Sequence, residues 1–193
     1  IAVCAAQKVP DAVIRRALST FSSSFEQCPG RLNIYDGHPF RVILDYAHNP
    51  GSLTALGDLL QRLRPDYGRL IGMASIPGDR RDEDIRQMGE LAASIFDEVV
   101  FREAPDGRGR PAGEVTALMA EGALGTGMAR ARVHSIIEEE AAADHCLRLA
   151  RPGDLVVLMP TSVEAVWNQV LTFSPTLRRS QAGTQADGQA THV

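Results

Sequence analysis

The sequence has 193 residues, 44% of them hydrophobic and 23% charged, with a formal net charge of −4, which fits about one globular domain with flanking pieces. Slight acidity and an aromatic content of only 5% argue against a nucleic-acid surface, where a basic stripe with stacking rings is expected. Of the 20 lysine and arginine residues only Lys8 is a lysine, set in Ala-Gln-Lys-Val-Pro, which excludes a GxxxxGK[ST] phosphate loop and speaks against a Schiff-base lysine.

From Pro10 to Phe21 the apolar residues Val13, Ile14, Ala17, Leu18 and Phe21 recur at three- and four-residue steps, predicting a short amphipathic helix with Pro10 at its start. Ser22-Ser23-Ser24 and then Cys28-Pro29-Gly30 break the pattern and read as a linker or hinge, placing the main domain boundary near Gly30. Leu32 to Tyr35 and Phe40 to Leu44 read as strands joined by a turn at Asp36-Gly37-His38, because Asp-Gly is a strong hairpin signal. Helix is expected from Pro50 to Arg64, strand from Leu70 to Ala74, helix from Asp82 to Phe96 and strand from Glu98 to Phe101. A helix from Gly113 to Glu121, a strand from Ala131 to Ile136 and a helix from Glu138 to Leu149 follow. Strand Asp154 to Met159, bounded by Pro152-Gly153 and Pro160, and a helix from Ser162 to Phe173 complete the pattern. This alternation predicts an α/β, Rossmann-like domain: a mostly parallel sheet with helices on both faces and an antiparallel hairpin at its N-terminal edge. Residues 174–193, rich in Gln, Ala, Gly, Ser and Thr, have too little apolar surface to offset ordering and are expected to form a disordered tail.

Cys4, Cys28 and Cys146 are widely spaced, without CxxC or Cys/His metal spacing, as expected in a reducing compartment and with no metal site. Apolar stretches fall far short of the about 20 residues that span a bilayer, and the first residues lack the order of a signal peptide. The chain is therefore expected to be cytoplasmic, with no membrane partner. Ile1 stands where an initiator Met would, as expected of a piece of a longer chain; trimming would look the same.

In open α/β sheets ligands sit beyond the carboxyl ends of the strands, so the turns there hold the candidate site. The first is Asp45-Tyr46-Ala47-His48-Asn49-Pro50-Gly51. In one reading Asn49 only caps the next helix, Asp45 favours its positive end and His48 fills a turn. In the other, polar groups converging on a helix N-terminus form an anion or nucleotide site. The second turn runs from Ser75 to Asp84. Asp82, Glu83 and Asp84 suit a helix start, whereas Asp79, Arg80 and Arg81 follow Pro77-Gly78 at the mouth of the sheet. Guanidinium groups there can hold a carboxylate or phosphate through paired hydrogen bonds. The third turn, Arg102 to Pro111, interleaves Arg108 and Arg110 with glycines, either as a solvated loop or as an anion or substrate clamp. Arg31 sits at the hinge, within reach of the same cleft. His134, His145 and His192 lack partner spacing, and Trp167 reads as packing.

Pro29-Gly30-Arg31-Leu32-Asn33, followed by Val42-Ile43-Leu44-Asp45-Tyr46-Ala47-His48-Asn49-Pro50, resembles the opening of the C-terminal domain of Mur ligases and folylpolyglutamate synthetases, which are ATP-dependent amide ligases. Gly78-Asp79-Arg80-Arg81-Asp82-Glu83-Asp84-Ile85 and Phe101-Arg102-Glu103 through Arg108-Gly109-Arg110 resemble the cyanophycin synthetase branch in particular. The resemblance implies a ligase module in which a central P-loop domain holds ATP and Mg²⁺ and the C-terminal domain closes over it, after an ATP-grasp module in the same polypeptide. It implies that an aspartate side chain of a polyaspartate backbone is activated as an acyl phosphate and that arginine's α-amino group displaces phosphate. Arg31 would contact the nucleotide phosphates, Asp45 and His48 would face the ATP ribose and phosphates, and Asn49 would hold the turn. Asp79, Arg80, Arg81, Arg108 and Arg110 would face the polymer or the incoming arginine. With a single lysine, the chain lacks both the family's P-loop and its central-domain lysine. It is thus expected to hold half of an active site, with no complete catalytic set and no activity alone. Residues 1–28 would be the last helices of the preceding domain and residues 29–173 the C-terminal domain, with a homo-oligomer compatible with the full-length enzyme. Other readings are the same domain of another Mur-type or folylpolyglutamate-type ligase, an inactive scaffold, or a free-standing nucleotide-binding module.

Overall fold

A computed structural model describes residues 1–175. Helices α1 (Ala2–Ala6) and α2 (Asp11–Ser19) come first, then the hairpin of β1 (Asn33–Tyr35) and β2 (Arg41–Leu44). The chain continues through α3 (Pro50–Leu63), β3 (Leu70–Ala74), α4 (Asp82–Ile95), β4 (Glu98–Phe101) and α5 (Glu114–Gly125). Then come β5 (Val133–Ser135), α6 (Glu139–Leu149), β6 (Leu155–Leu158) and α7 (Val163–Thr172), the last element among the described residues. The six strands form one sheet in the order β1-β2-β6-β3-β4-β5. Only the β1–β2 pair is antiparallel, so the α/β sheet and its hairpin edge are as the sequence pattern implies. From residue 176 on, the expected tail lies outside the described residues.

Alternation along each strand builds two cores. Ile43, Leu70, Val99, Phe101, Leu155 and Val157 pack on one face with α3, α4 and α5, while Val42, Leu44, Ile71, Met73, Val156 and Leu158 pack on the other with α6 and α7. All residues of β3 and β6 are buried, as a parallel strand covered on both faces requires. The three crossovers through α3, α4 and α5 step outward to β5; α6 then returns the chain to β6, between β2 and β3. Loops leaving β6 and β3 therefore depart to opposite faces, and a crevice opens at their carboxyl ends.

Three differences from the sequence pattern have local causes. Helix α5 runs past Glu121 to Gly125 because Gly122 serves as a close-packing residue against α4. Strand β5 starts at Val133, since Arg130–Arg132 form a 3₁₀ turn. Leu32 is left-handed, with φ +51°, so β1 begins at Asn33. Helices α1 and α2 bury no side chain, and Val13, Leu18 and Phe21 stay exposed. No helix among the described residues is long and apolar enough to cross a membrane.

Candidate functional site

The turn after β2 is built around the start of α3. Asn49 Oδ1 accepts the Ser52 amide at 2.9 Å, and Ser52 Oγ accepts the Asn49 amide at 3.2 Å. With Pro50 in the first helical position, this capping box satisfies two orphan donors and fixes the direction of the helix. His48 is exposed and lies 2.9 Å through Nδ1 from the Tyr46 carbonyl. A carbonyl only accepts, so Nδ1 donates and Nε2 is the acceptor of the neutral ring. Asp45 Oδ2 accepts the Leu32 amide at 3.2 Å. The Arg31 guanidinium lies 5.3 Å from the centre of the Tyr46 ring, within cation–π range. Arg31, Asp45, His48 and Asn49 thus occupy one corner of the crevice, where Asn49 is a cap and Asp45 holds backbone.

The turns after β3 and β4 are stitched together. A Cβ on Gly78 would sit 2.4 Å from the Gly107 carbonyl oxygen, so only glycine permits this approach of the two loops. Arg110 ties them further: Nε donates to the Gly78 carbonyl at 2.6 Å, and Nη2 donates to the Arg80 carbonyl and to Asp82, each at 2.7 Å. Its Nη1 pairs with Glu114 at the start of α5. Arg108 pairs with Asp79 at 2.9 Å, and that guanidinium holds the Asp79 carboxyl below its ordinary value. Arg81 is bound to Asp84 through both Nε and Nη2. Arg80 is half exposed and comes no nearer than 4.0 Å to Asp79. The five candidate substrate residues therefore lie together on one rim. Arg110 spends its donors on protein acceptors, while Arg80 keeps most of its own for solvent. Arg110→Ala is expected to speed tryptic cleavage after Arg108 by about ten-fold through local opening of both loops, whereas Arg80→Ala leaves that rate unchanged. Timed digestion followed by mass spectrometry reads both.

Between the β4, β5 and β6 turns lies a cleft of about 790 Å³, lined among others by Glu103, Arg110, Glu138, Glu139, Glu140 and Ser162. One of its lining residues, Glu139, belongs to a buried ion pair that composition did not reveal. Arg102 and Glu139 are 2.8 Å apart, with side chains 4% and 7% exposed. Arg102 also donates to the Met159 carbonyl at 2.7 Å and to Thr161 Oγ1 at 2.9 Å. Glu139 accepts the amides of Thr161 and Ser162. Burial pushes the Arg102 guanidinium below its ordinary value, and the Glu139 charge opposes that. Glu103 Oε1 accepts the amides of Gly113, Val115 and Thr116, supplying the cap that glycine in the N-cap position of α5 cannot. The signal available in sequence was a charged pair, Arg102-Glu103, directly after an apolar strand. His134 and His145 do meet, their ring centres 4.6 Å apart, but beside Glu98 at the amino end of β4, away from the cleft. Trp167 stacks on Phe25 and meets the edge of Tyr35, a packing role.

The family model described as "Mur ligase, glutamate ligase domain" matches residues 30–162. The chain is 41% identical over 157 residues to cyanophycin synthetase of Trichormus variabilis, covering 81% of this chain and 17% of that protein. It is 36% identical over 156 residues to UDP-N-acetylmuramoyl-L-alanyl-D-glutamate–2,6-diaminopimelate ligase of Syntrophomonas wolfei, covering 77% and 30%. Among solved structures, the bifunctional folylpolyglutamate synthase/dihydrofolate synthase from Yersinia pestis, complexed with AMPPNP and Mn ion, superposes with a TM-score of 0.59 at 21% identity. That superposition covers 84% of this chain and 34% of the other, and it speaks for the fold. Matched from Gly30 to Ser162 by that family model, the chain belongs to the Mur ligase family, as its glutamate ligase domain.

Proposed function

We propose that the chain is the C-terminal domain of an ATP-dependent ligase of the cyanophycin synthetase kind, which closes over ATP on a central P-loop domain and helps join arginine to aspartate side chains of a polyaspartate backbone. The cleft carries this reading. Glu138 and Glu140 are exposed on its wall, while the stitched rim beside it bears Arg80 and Arg108. A guanidinium side chain suits the first surface and a carboxylate or acidic polymer suits the second. The 41% identity to a cyanophycin synthetase supports the same substrates.

In this reading the chain's own residues bind and align. Amide formation from an activated carboxyl needs charge neutralisation and a well-placed amine more than a protein nucleophile. The carboxylate wall would hold the side chain of the incoming amino acid, and Arg80 and Arg108 would hold acidic groups of the acceptor. Arg31 and His48 offer a cation and an imidazole at an exposed corner, which fits contacts to the phosphates of a nucleotide held elsewhere; Asp45 and Asn49 shape that corner. ATP would supply the phosphoryl group that activates the carboxyl. Mg²⁺ and most of the nucleotide would be held by the central P-loop domain; among the described residues no group of three or more His, Cys, Asp or Glu side chains is placed to hold a metal ion. Helices α1 and α2, which bury nothing here, would be the last helices of the central domain.

The test compares this chain alone with the same chain joined to its preceding P-loop region. Both are incubated with ATP, a polyaspartate primer and arginine. The joined chain is expected to release phosphate only when arginine is present and to make the primer heavier by arginine residues, and the isolated chain is expected to do neither. Phosphate release by the isolated chain, or a joined chain that is inactive or equally active with other amino acids, would refute the assignment.

A further inference from the structure

Residues 22–30 read in sequence as a linker or hinge, and the structure straps them to the sheet. Asn33, fully buried in β1, accepts the Gly30 amide on Oδ1 at 2.7 Å. Its Nδ2 donates to the carbonyls of Ser23 and Cys28, each at 3.0 Å. One side chain thus closes three points of the segment. Phe25 lies flat on Trp167 of α7, with ring centres 4.8 Å apart and planes within 3°. Gly30, at φ +73°, approaches Val163 so closely that a Cβ would sit 3.0 Å from Cγ2.

The strap ends in a strained residue. Leu32 has φ +51°, a left-handed conformation that a branched side chain adopts only when its surroundings compensate. The compensation visible here is the hydrogen bond that its backbone N–H donates to Asp45 Oδ2. Asp45 is itself tied to the sheet, since its amide donates to the Leu158 carbonyl at 3.0 Å. Leu32 is thereby referenced to both β2 and β6, and Arg31, one residue earlier, is left over the Tyr46 ring.

We propose that Asn33 and Asp45 are positioning residues that clasp residues 23–32 onto the sheet domain, so that Arg31 is carried rigidly by this domain and the pivot toward preceding residues lies upstream of Ser23. The importance of a rigid Arg31 rests on the nucleotide role proposed above; the clasp itself does not. Any swing between domains would then bend the chain upstream of Ser23, releasing the exposed bonds of the Gln27 side chain to the Ser22 amide and the Thr20 carbonyl, and would leave the geometry of Gly30 to Leu32 unchanged.

Amide hydrogen exchange by NMR on the 193-residue chain, with no nucleotide or substrate present, tests the clasp independently of the ligase reading. The amides of Gly30 and Leu32 are expected to exchange at least about ten-fold more slowly than in an unstructured peptide. Asp45→Ala should abolish the slowing at Leu32 while Ile71 and Val157 in the central strands keep theirs. Asp45→Asn, whose amide oxygen still accepts, should restore it; a role resting on charge alone would not be rescued. Timed trypsin digestion of the unaltered chain is a second measure that needs no variant: cleavage after Arg31 should lag cleavage after Arg15 and Arg16 by about ten-fold or more. Free-peptide exchange at Leu32, an Asp45→Asn variant as unprotected as Asp45→Ala, or equal cleavage at the three arginines would overturn the proposal.

Discussion

Replacing Glu139 by alanine is expected to lower the unfolding free energy by about 3–5 kcal/mol, the range for stranding one member of a buried ion pair. The variant leaves the Arg102 guanidinium, 4% exposed, with only neutral acceptors: the carbonyls of Glu103 and Met159 and the Thr161 hydroxyl. It also strips the amides of Thr161 and Ser162 of the carboxylate they share. Arg102→Met should cost less, about 2–3 kcal/mol, because Glu139 keeps two charge-assisted bonds to backbone amides. In the double variant no charge is stranded, so its cost should fall well below the sum of the single costs, a coupling of about 1–3 kcal/mol. Urea unfolding at constant m reads all three. Additive costs, or a Glu139→Ala loss below about 1 kcal/mol, would show that the pair does not hold the loops around the cleft.

That pair also marks where sequence reasoning stops. The strands were legible because Leu70 to Ala74 and Leu155 to Leu158 are apolar runs bounded by turn residues, and a parallel sheet must bury both faces of such strands. The start of α3 was legible because Asn49-Pro50 is a cap followed by a helix-starting proline, a local arrangement that neighbouring residues settle by themselves. Pairings across loops are of another kind. Nothing in the spacing of Arg108 and Arg110 says that one meets Asp79 and the other the Gly78 and Arg80 carbonyls. Those partners come from a different turn, brought near only when β3 and β4 lie side by side. Glu139 likewise reads as one acid among three at a helix start, and only the return of the chain through α6 to β6 sets it beside Arg102. Leu32 escaped for the opposite reason: its strain is local, but the Asp45 carboxylate that offsets it is thirteen residues away.

A backbone contact between α4 and α5 is also one that no periodicity reveals. Gly89 on α4 faces the backbone of α5, where an added Cβ would fall 1.9 Å from the Met119 carbonyl oxygen. Gly122 on α5 faces α4 in return, its added Cβ 2.1 Å from the Arg86 carbonyl oxygen. Two backbones touch here with no side chain between them, so neither overlap is relieved by turning a rotamer. Gly89→Ala gains about 1 kcal/mol of helix propensity but must force open a pair of helices packed through Met88, Ala92, Met119 and Ala123, all fully buried. A net loss of about 2–4 kcal/mol is expected, at or above the usual range for overpacking because backbone rather than side chain is displaced. Gly125→Ala, at the end of α5 with nothing within 4 Å of its added Cβ, should instead stabilise by about 0.5–1 kcal/mol. Since α4 and α5 carry the two loops that Arg110 stitches, Gly89→Ala should also quicken tryptic cleavage after Arg108, and Gly125→Ala should not. Unfolding midpoints for the two variants within about 0.5 kcal/mol of each other would refute the contact. A loss of stability without faster cleavage would separate the packing of the helices from the placement of the rim.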